Sequence, residues 1–183
     1  MQLVSVNRKI YQDYLQFLDR DIQNELDLLI GALKDKRIAM VNATSFGGGV
    51  AEILHSMVPL MRDMGLAIDW WTLQAADEFY YVTKTFHNRL QGQEGSITER
   101  EKAVYLKYCQ LNAEFMRDWE YDFIVMHDPQ TAGLISFREP RGHEKWIWRC
   151  HIDTSSPNPE YWDFIHQFIS QYHAAIFTIE DFV

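Results

Sequence analysis

A chain of 183 residues, 47% hydrophobic and 14% aromatic, is long enough for one domain with a sizeable core, burying roughly 70% of the surface its unfolded form exposes. Its net charge of −9 excludes the basic footprint of a general nucleic-acid binder, though not a local phosphate site. No apolar run approaches the roughly 20 residues of a membrane span, no signal-like segment opens the chain, and Cys109 and Cys150 form neither a CxxC pair nor a zinc pattern. The expectation is a soluble cytoplasmic protein with reduced core thiols.

In chain order, Ile10, Tyr14, Phe17, Leu18, Ile22, Leu26, Leu29 and Leu33 recur at three- and four-residue steps. That spacing predicts one amphipathic helix over 8–34, part of an N-terminal helical extension over 1–36. A domain over 37–183 then opens with Arg37–Asn42, a short apolar run that reads as a buried parallel strand. Three contiguous glycines follow, then a helix over 50–64 with Pro59 inside it and Gly65 as its stop. Residues 66–73 predict a strand. Residues 78–118 predict two helices broken at Gly92-Gln-Glu-Gly95, the second opened by a Thr98…Glu101 capping box. A strand over 121–126 ends at His127-Asp128-Pro129, with a short helix to about Phe137. A strand over 145–150 ends at His151-Ile-Asp153, a helix spans 157–172, and a last strand spans 174–179.

Strands alternating with helices predict an α/β domain: a Rossmann-like, mostly parallel sheet with helices on both faces. Right-handed crossovers put the C-terminal ends of the strands on one edge, where open α/β sheets bind ligands. Three polar clusters fall there: Gly47-Gly48-Gly49, His127-Asp128 and His151-Ile-Asp153.

Each cluster has a structural reading beside a functional one. The glycines make either a tight strand-to-helix turn or a place where a ligand oxygen approaches bare backbone at a helix N-terminus. They match neither GxGxxG nor a Walker A loop; positive φ is expected at Gly48. Asp128 either caps a helix or accepts hydrogen bonds from ligand hydroxyls. Strand alternation puts Arg149, His151 and Asp153 on one side. With His127 and Asp128, that side can grip a polyhydroxylated sugar or hold a divalent metal; the absence of an HExxH-type pair or a third clear His ligand favours no metal. His55, His87, His143, His166 and His173 read as surface or helix residues.

The segments VNATSFGGGVAEILHSMVPLMRDMGL, VTKTFHNRLQG, VMHDPQTAGLI and WRCHIDTSSPN resemble, in order, segments of the trehalose synthase and trehalose phosphorylase group of retaining glycosyltransferases. The resemblance runs from about residue 8 to the C-terminus. It implies the N-terminal, acceptor-side half of a GT-B enzyme, in which two Rossmann-like halves face across a cleft. Carried over, Gly47, Gly48 and Gly49 lie near donor phosphates, Asp128 holds acceptor hydroxyls, and His151 lies near the transferred glucose. His127, Asp153 and Asn158 are neighbours in the same site. The implied reaction moves glucose from a nucleotide sugar or glucose 1-phosphate to glucose, giving trehalose with retention, without cofactor or metal. The family's second half binds most of the donor through a basic pair and two spaced glutamates, a pattern not found in these residues. The expectation is therefore a domain inactive alone, with a separate C-terminal donor-binding half as partner. The apolar face of the 8–34 helix adds the expectation of a homodimer. A non-catalytic sugar- or nucleotide-binding or dimerisation module of the same fold is the alternative.

Overall fold

The computed structural model describes residues 1–179. A six-stranded sheet carries the fold. Its strands are β1 (Gln2–Leu3), β2 (Arg37–Asn42), β3 (Ala67–Thr72), β4 (Phe123–His127), β5 (Lys145–Arg149) and β6 (Ala174–Ile176). They run in the order β1-β3-β2-β4-β5-β6, and every pair is parallel except β1 with β3. The parallel part has the doubly wound order in which chain direction across the sheet reverses between β2 and β4. That is the switch point, where two strand ends splay and leave a crevice.

Right-handed crossovers explain the layers. The β2-to-β3 crossover runs one way and lays α2 (Gly49–Asp63) on one face. The β3-to-β4 and β5-to-β6 crossovers run the other way. They place α3 (Asp77–Leu90), α4 (Glu99–Phe115) and α6 (Pro159–Ile169) on the opposite face. Alternation along β2 sorts the core accordingly. Ile38 and Met40 pack with Leu54 and Val58 of α2 and with Trp70. Ala39 and Val41 face Phe86 of α3, Tyr105 of α4 and Phe164 of α6. Two fully buried indoles, Trp146 and Trp148, extend that larger core beneath β5.

Most predicted elements appear within a few residues of their expected bounds. The capping box is present: Thr98 Oγ1 accepts the Glu101 N–H, and the Glu101 carboxylate accepts the Thr98 N–H. Gly65, at φ +91°, follows the end of α2, and α2 runs through Pro59. The short helix after β4 divides into α5 (Asp128–Ala132) and a 3-10 turn over Gly133–Ser136. The last strand stops at Ile176.

The N-terminal segment departs most. The single helix expected over 8–34 is a 3-10 helix, Tyr11–Phe17, followed by α1, Arg20–Leu33. Leu18 is extended, and Asp19 starts a new helix by accepting the Ile22 N–H at 2.9 Å; a side-chain cap at that point outcompetes continuation. Neither piece contains a buried residue. The segment expected as a helical extension over 1–36 also supplies β1, whose pairing with β3 depends on an antiparallel edge contact that hydrophobic periodicity does not register. Residues 180–183 of the expected 37–183 domain lie outside the described residues. Among the described residues no helix is long and apolar enough to cross a membrane.

Candidate functional site

The loop after β2 is tied down before it reaches the glycines. Buried Asn42, the last residue of β2, accepts the Trp70 Nε1–H at 2.7 Å and donates from Nδ2 to the Thr44 carbonyl at 2.7 Å. His55 of α2 reaches back with Nε2 to the Ser45 carbonyl at 2.8 Å, and its ring meets Trp70 edge-on. The chain then turns at Gly47, φ +72°. Gly48, where positive φ was expected, is extended instead, with φ 179°. Gly48 is the N-cap of α2 and supplies no side chain to it. The N–H groups of the first turn are thus left for a ligand or water, at the positive end of a fifteen-residue helix.

Across the switch point, β4 ends at His127, and Asp128 turns the chain with φ +64°, the one non-glycine positive φ among the described residues. Such a backbone persists only where its surroundings over-determine it. Here the Trp148 indole N–H donates to the Asp128 carbonyl at 3.1 Å, and Thr131 Oγ1–H is shared between the carbonyls of His127 and Asp128 at 2.9 and 3.2 Å. The strained turn aims the Asp128 carboxyl at the segment that follows β5, where Oδ1 accepts the His151 main-chain N–H at 2.7 Å.

The β4–β5 register, His127 opposite Arg149, brings the two imidazoles together. His127 Nδ1 and His151 Nε2 are 2.9 Å apart with near-parallel rings, a contact that requires one nitrogen to donate and the other to accept. Burial, then the His151 and Arg149 charges, lower the His127 pKa to about 3. Burial, then Arg149, lower that of His151 to about 4. Both rings are therefore neutral at physiological pH. Burial raises Asp128 to about 6, against the pull of the His151 N–H and Arg149.

Two cavities open along this rim. One, about 290 Å³, lies between the glycine loop, α3 and Asp128. The other, about 670 Å³, lies over the ends of β4 and β5 and includes His151 and Arg149. They share Gly49, Val50, His87, His127 and Asp128. Arg149 donates to the carbonyls of Cys150 and Ile176 at 2.9 and 3.2 Å, which positions its charge at the second cavity.

Of the residues singled out in the sequence, Gly47, Gly48, Gly49, His127, Asp128 and His151 thus come together at the two cavities. Asp153 and Asn158 do not line either one. Because β5 stops at Arg149, strand alternation does not carry on to 153. The exposed Asp153 carboxylate instead accepts the Ser155 N–H and Oγ–H at 2.9 and 2.7 Å. Asn158 is the N-cap of α6; its Oδ1 accepts the Glu160 N–H and its Nδ2 donates to the Gly95 carbonyl. Among the described residues no group of three or more His, Cys, Asp and Glu side chains is placed to hold a metal ion. His55 and His87, read from the sequence as surface or helix residues, do lie on helices α2 and α3, but His55 also clamps the loop and His87 lines both cavities. The signal for His87 was its place in a polar stripe, Tyr80, Thr83, Lys84 and His87, beside the apolar stripe Phe79, Val82, Phe86 and Leu90.

Comparison with known proteins gives a consistent result. A family model described as the N-terminal domain of trehalose synthase matches residues 40–183. A trehalose synthase of Thermococcus litoralis is 46% identical over 176 residues, covering 96% of this chain and 42% of its own length. One of Rubrobacter xylanophilus is 40% identical, covering 100% of this chain and 44% of its own. The chain thus spans less than half the length of the curated relatives it matches. A trehalose phosphorylase of Pleurotus pulmonarius is 23% identical over 84% of the chain and 24% of its own length. Among solved structures, an alpha,alpha-trehalose-phosphate synthase (UDP-forming) of Burkholderia vietnamiensis superposes with TM-score 0.56 at 16% identity, covering 80% of this chain and 40% of that one. At that identity the likeness concerns the fold alone.

Proposed function

The chain belongs to the family of trehalose synthase N-terminal domains, and from that membership we propose that it forms the acceptor-side wall of a retaining glucosyltransferase that makes or cleaves trehalose. One observation carries the reading: a strained, buried Asp128 carboxyl at the switch point of the sheet, between an uncapped helix N-terminus and a neutral His pair. Strain and burial of a carboxylate are both unfavourable, and their coincidence at a cavity marks a functional constraint.

The roles follow from the chemistry of each group. Asp128 takes the hydroxyl hydrogens of the acceptor glucose and orients the attacking oxygen. The glycine loop and the first turn of α2 offer N–H groups to the phosphate of the glucosyl donor, a nucleotide sugar or glucose 1-phosphate. In the transfer, the bond from the donor C1 to the phosphate oxygen breaks and a bond from C1 to the acceptor oxygen forms. The acceptor's proton leaves with the phosphate. His151, neutral and beside the second cavity, hydrogen-bonds the glucosyl group being moved, and His127 fixes its ring. The donor's remaining contacts belong to a second half, supplied by the region that the relatives possess beyond the matched segment. Homodimerisation through the exposed apolar surface of α1 is part of the same proposal.

The test is glucose binding by saturation-transfer NMR and calorimetry. Removing one partner of a buried hydrogen bond costs roughly 1–3 kcal/mol. Asp128→Ala should therefore weaken glucose binding about tenfold or more while the fold survives. Intact affinity in that variant rejects the assignment. A binding module without turnover is the second reading; glucosyl transfer on adding a donor-binding half distinguishes the two.

A further inference from the structure

Between the glycine loop and the His pair stands a third wall, α3, whose residue His87 borders both cavities. Its Nδ1 is sealed inside the protein without a hydrogen-bond partner, one of three such side-chain atoms among the described residues. An orphaned buried N–H is rarer than an orphaned buried acceptor. The tautomer with its lone pair on Nδ1 and its hydrogen on Nε2 is the one that leaves no buried ring N–H unpaired. With Nδ1 sealed, Nε2 is the ring nitrogen left to reach a ligand in the cavities that His87 borders.

Thr83 and Lys84 precede His87 by one helical turn and border the first cavity with it. Burial and then the Lys84 charge keep the His87 pKa below its ordinary value, against the pull of the neighbouring Asn88 side chain, so the ring is neutral. The apolar stripe of the same helix fixes the ring's position: Phe86, fully buried, stacks on Tyr105 and meets Tyr161 edge-on. The helix thus places His87 at the junction of the two cavities that Asp128 also borders.

Resting on the acceptor-site reading above, we propose that His87 is a further specificity-determining residue, whose Nε2–H donates to a hydroxyl oxygen of the sugar bound at this junction. Asp128 can only accept hydrogen bonds when ionised, and a sugar hydroxyl both donates and accepts. A donor on α3 completes what Asp128 lacks and fixes which hydroxyl sits where.

The experiment measures binding of glucose and of its 2-, 3-, 4- and 6-deoxy analogues to the 183-residue chain by saturation-transfer NMR. The variants are His87→Leu, His87→Gln and Asp128→Ala, each checked for an intact fold by thermal unfolding. His87→Leu should weaken glucose about tenfold, the scale of one hydrogen bond in a buried site. It should also become indifferent to removal of one hydroxyl whose loss weakens the unaltered protein by a similar factor. His87→Gln, which carries an amide N–H near the position of Nε2, should recover most of the affinity. The inference is overturned if His87→Leu binds glucose as tightly as the unaltered chain, or if it keeps the same sensitivity at every hydroxyl. It is equally overturned if only glucose 1-phosphate, run in parallel, is affected, since the oxygen contacted would then be a phosphate's. If Asp128→Ala loses glucose while His87→Leu does not, this inference falls and the acceptor-site reading stands. If the unaltered chain binds no glucose, the acceptor-site reading falls and takes this inference with it.

Discussion

At Asp128 folding and the proposed function pull in opposite directions. Its native pKa of about 6, against an ordinary 3.8, disfavours the ionised carboxylate by about 3 kcal/mol at neutral pH. The sign follows from proton counting. Between pH 4 and 6 the native state holds more protons at this group than the unfolded chain, so its contribution worsens as pH rises and the penalty is complete above about 6. His127 and His151 behave oppositely. Their pKa values of about 3 and 4, below an ordinary 6.5, mean that stability is complete above 6.5 and drains as pH falls. Asp128→Asn keeps an oxygen for the His151 N–H and suits positive φ better than most residues. It should raise stability at pH 7.5 by roughly 1–2 kcal/mol and steepen the loss of stability from pH 6 to 4, because the one opposing slope is gone. Denaturant melts across that range check both; a variant no more stable at pH 7.5 contradicts the burial account. The glycines separate in the same way. Gly47 needs its left-handed backbone, so Gly47→Val should cost roughly 1–2 kcal/mol. Gly48 is extended, and a Cβ built there meets nothing within 4 Å. Gly48→Val should melt like the unaltered protein, which makes any loss of phosphate-ligand affinity a direct reading of ligand approach rather than of strain.

Among the elements, β2 was legible because it is a short run buried on both faces, and it was recovered at its observed bounds, Arg37–Asn42. The strand ends were legible too, since parallel order forces them onto one edge. The His127–His151 pair was not, because it depends on β4 and β5 being neighbours in one register and on a positive φ at 128. His87 was missed because a helical residue's outlook is set by what its helix packs against. Asp153 was misplaced by extending strand alternation past the last residue of β5. The α1 segment shows the converse: a clear amphipathic pattern with no buried residue. Leu28 and Leu29 are 76% and 52% exposed, and an apolar cleft of about 960 Å³ runs between α1 and α2. Exposed apolar surface on that scale favours a partner, which is why the proposed homodimer is assigned to this helix. Leu28→Glu with Leu29→Glu should convert the dimer to a monomer, read by light scattering, and change monomer stability by no more than about 0.5 kcal/mol. An unaltered chain that stays monomeric over a wide concentration range removes the dimer from the proposal.

At the scale of the whole molecule, the question is how much of a glucosyltransferase this chain can be. Transfer without a protein nucleophile requires donor, leaving phosphate and acceptor to be held in one geometry. It also requires positive groups where charge builds on the phosphate. On the proposed reading the rim supplies Asp128 to the acceptor, and the N–H groups of the first turn of α2 to the phosphate. Its cations are sparse: Lys84 borders one cavity and Arg149 the other, the latter already engaged with two carbonyls. Both cavities meet solvent, where a high dielectric weakens each charge–phosphate contact several-fold relative to a closed cleft. The relatives carry more than half of their length beyond the region that this chain matches, which is room for an opposing wall. The 183-residue chain should therefore bind glucose yet form no detectable trehalose when incubated with glucose and UDP-glucose, ADP-glucose or glucose 1-phosphate, assayed by chromatography. Adding the separately expressed C-terminal region of a trehalose synthase relative should bring activity back, and Asp128→Ala should abolish that recovery. Robust trehalose formation by the chain alone would overturn the two-walled reading, because donor binding and charge stabilisation would then have to come entirely from the rim described above.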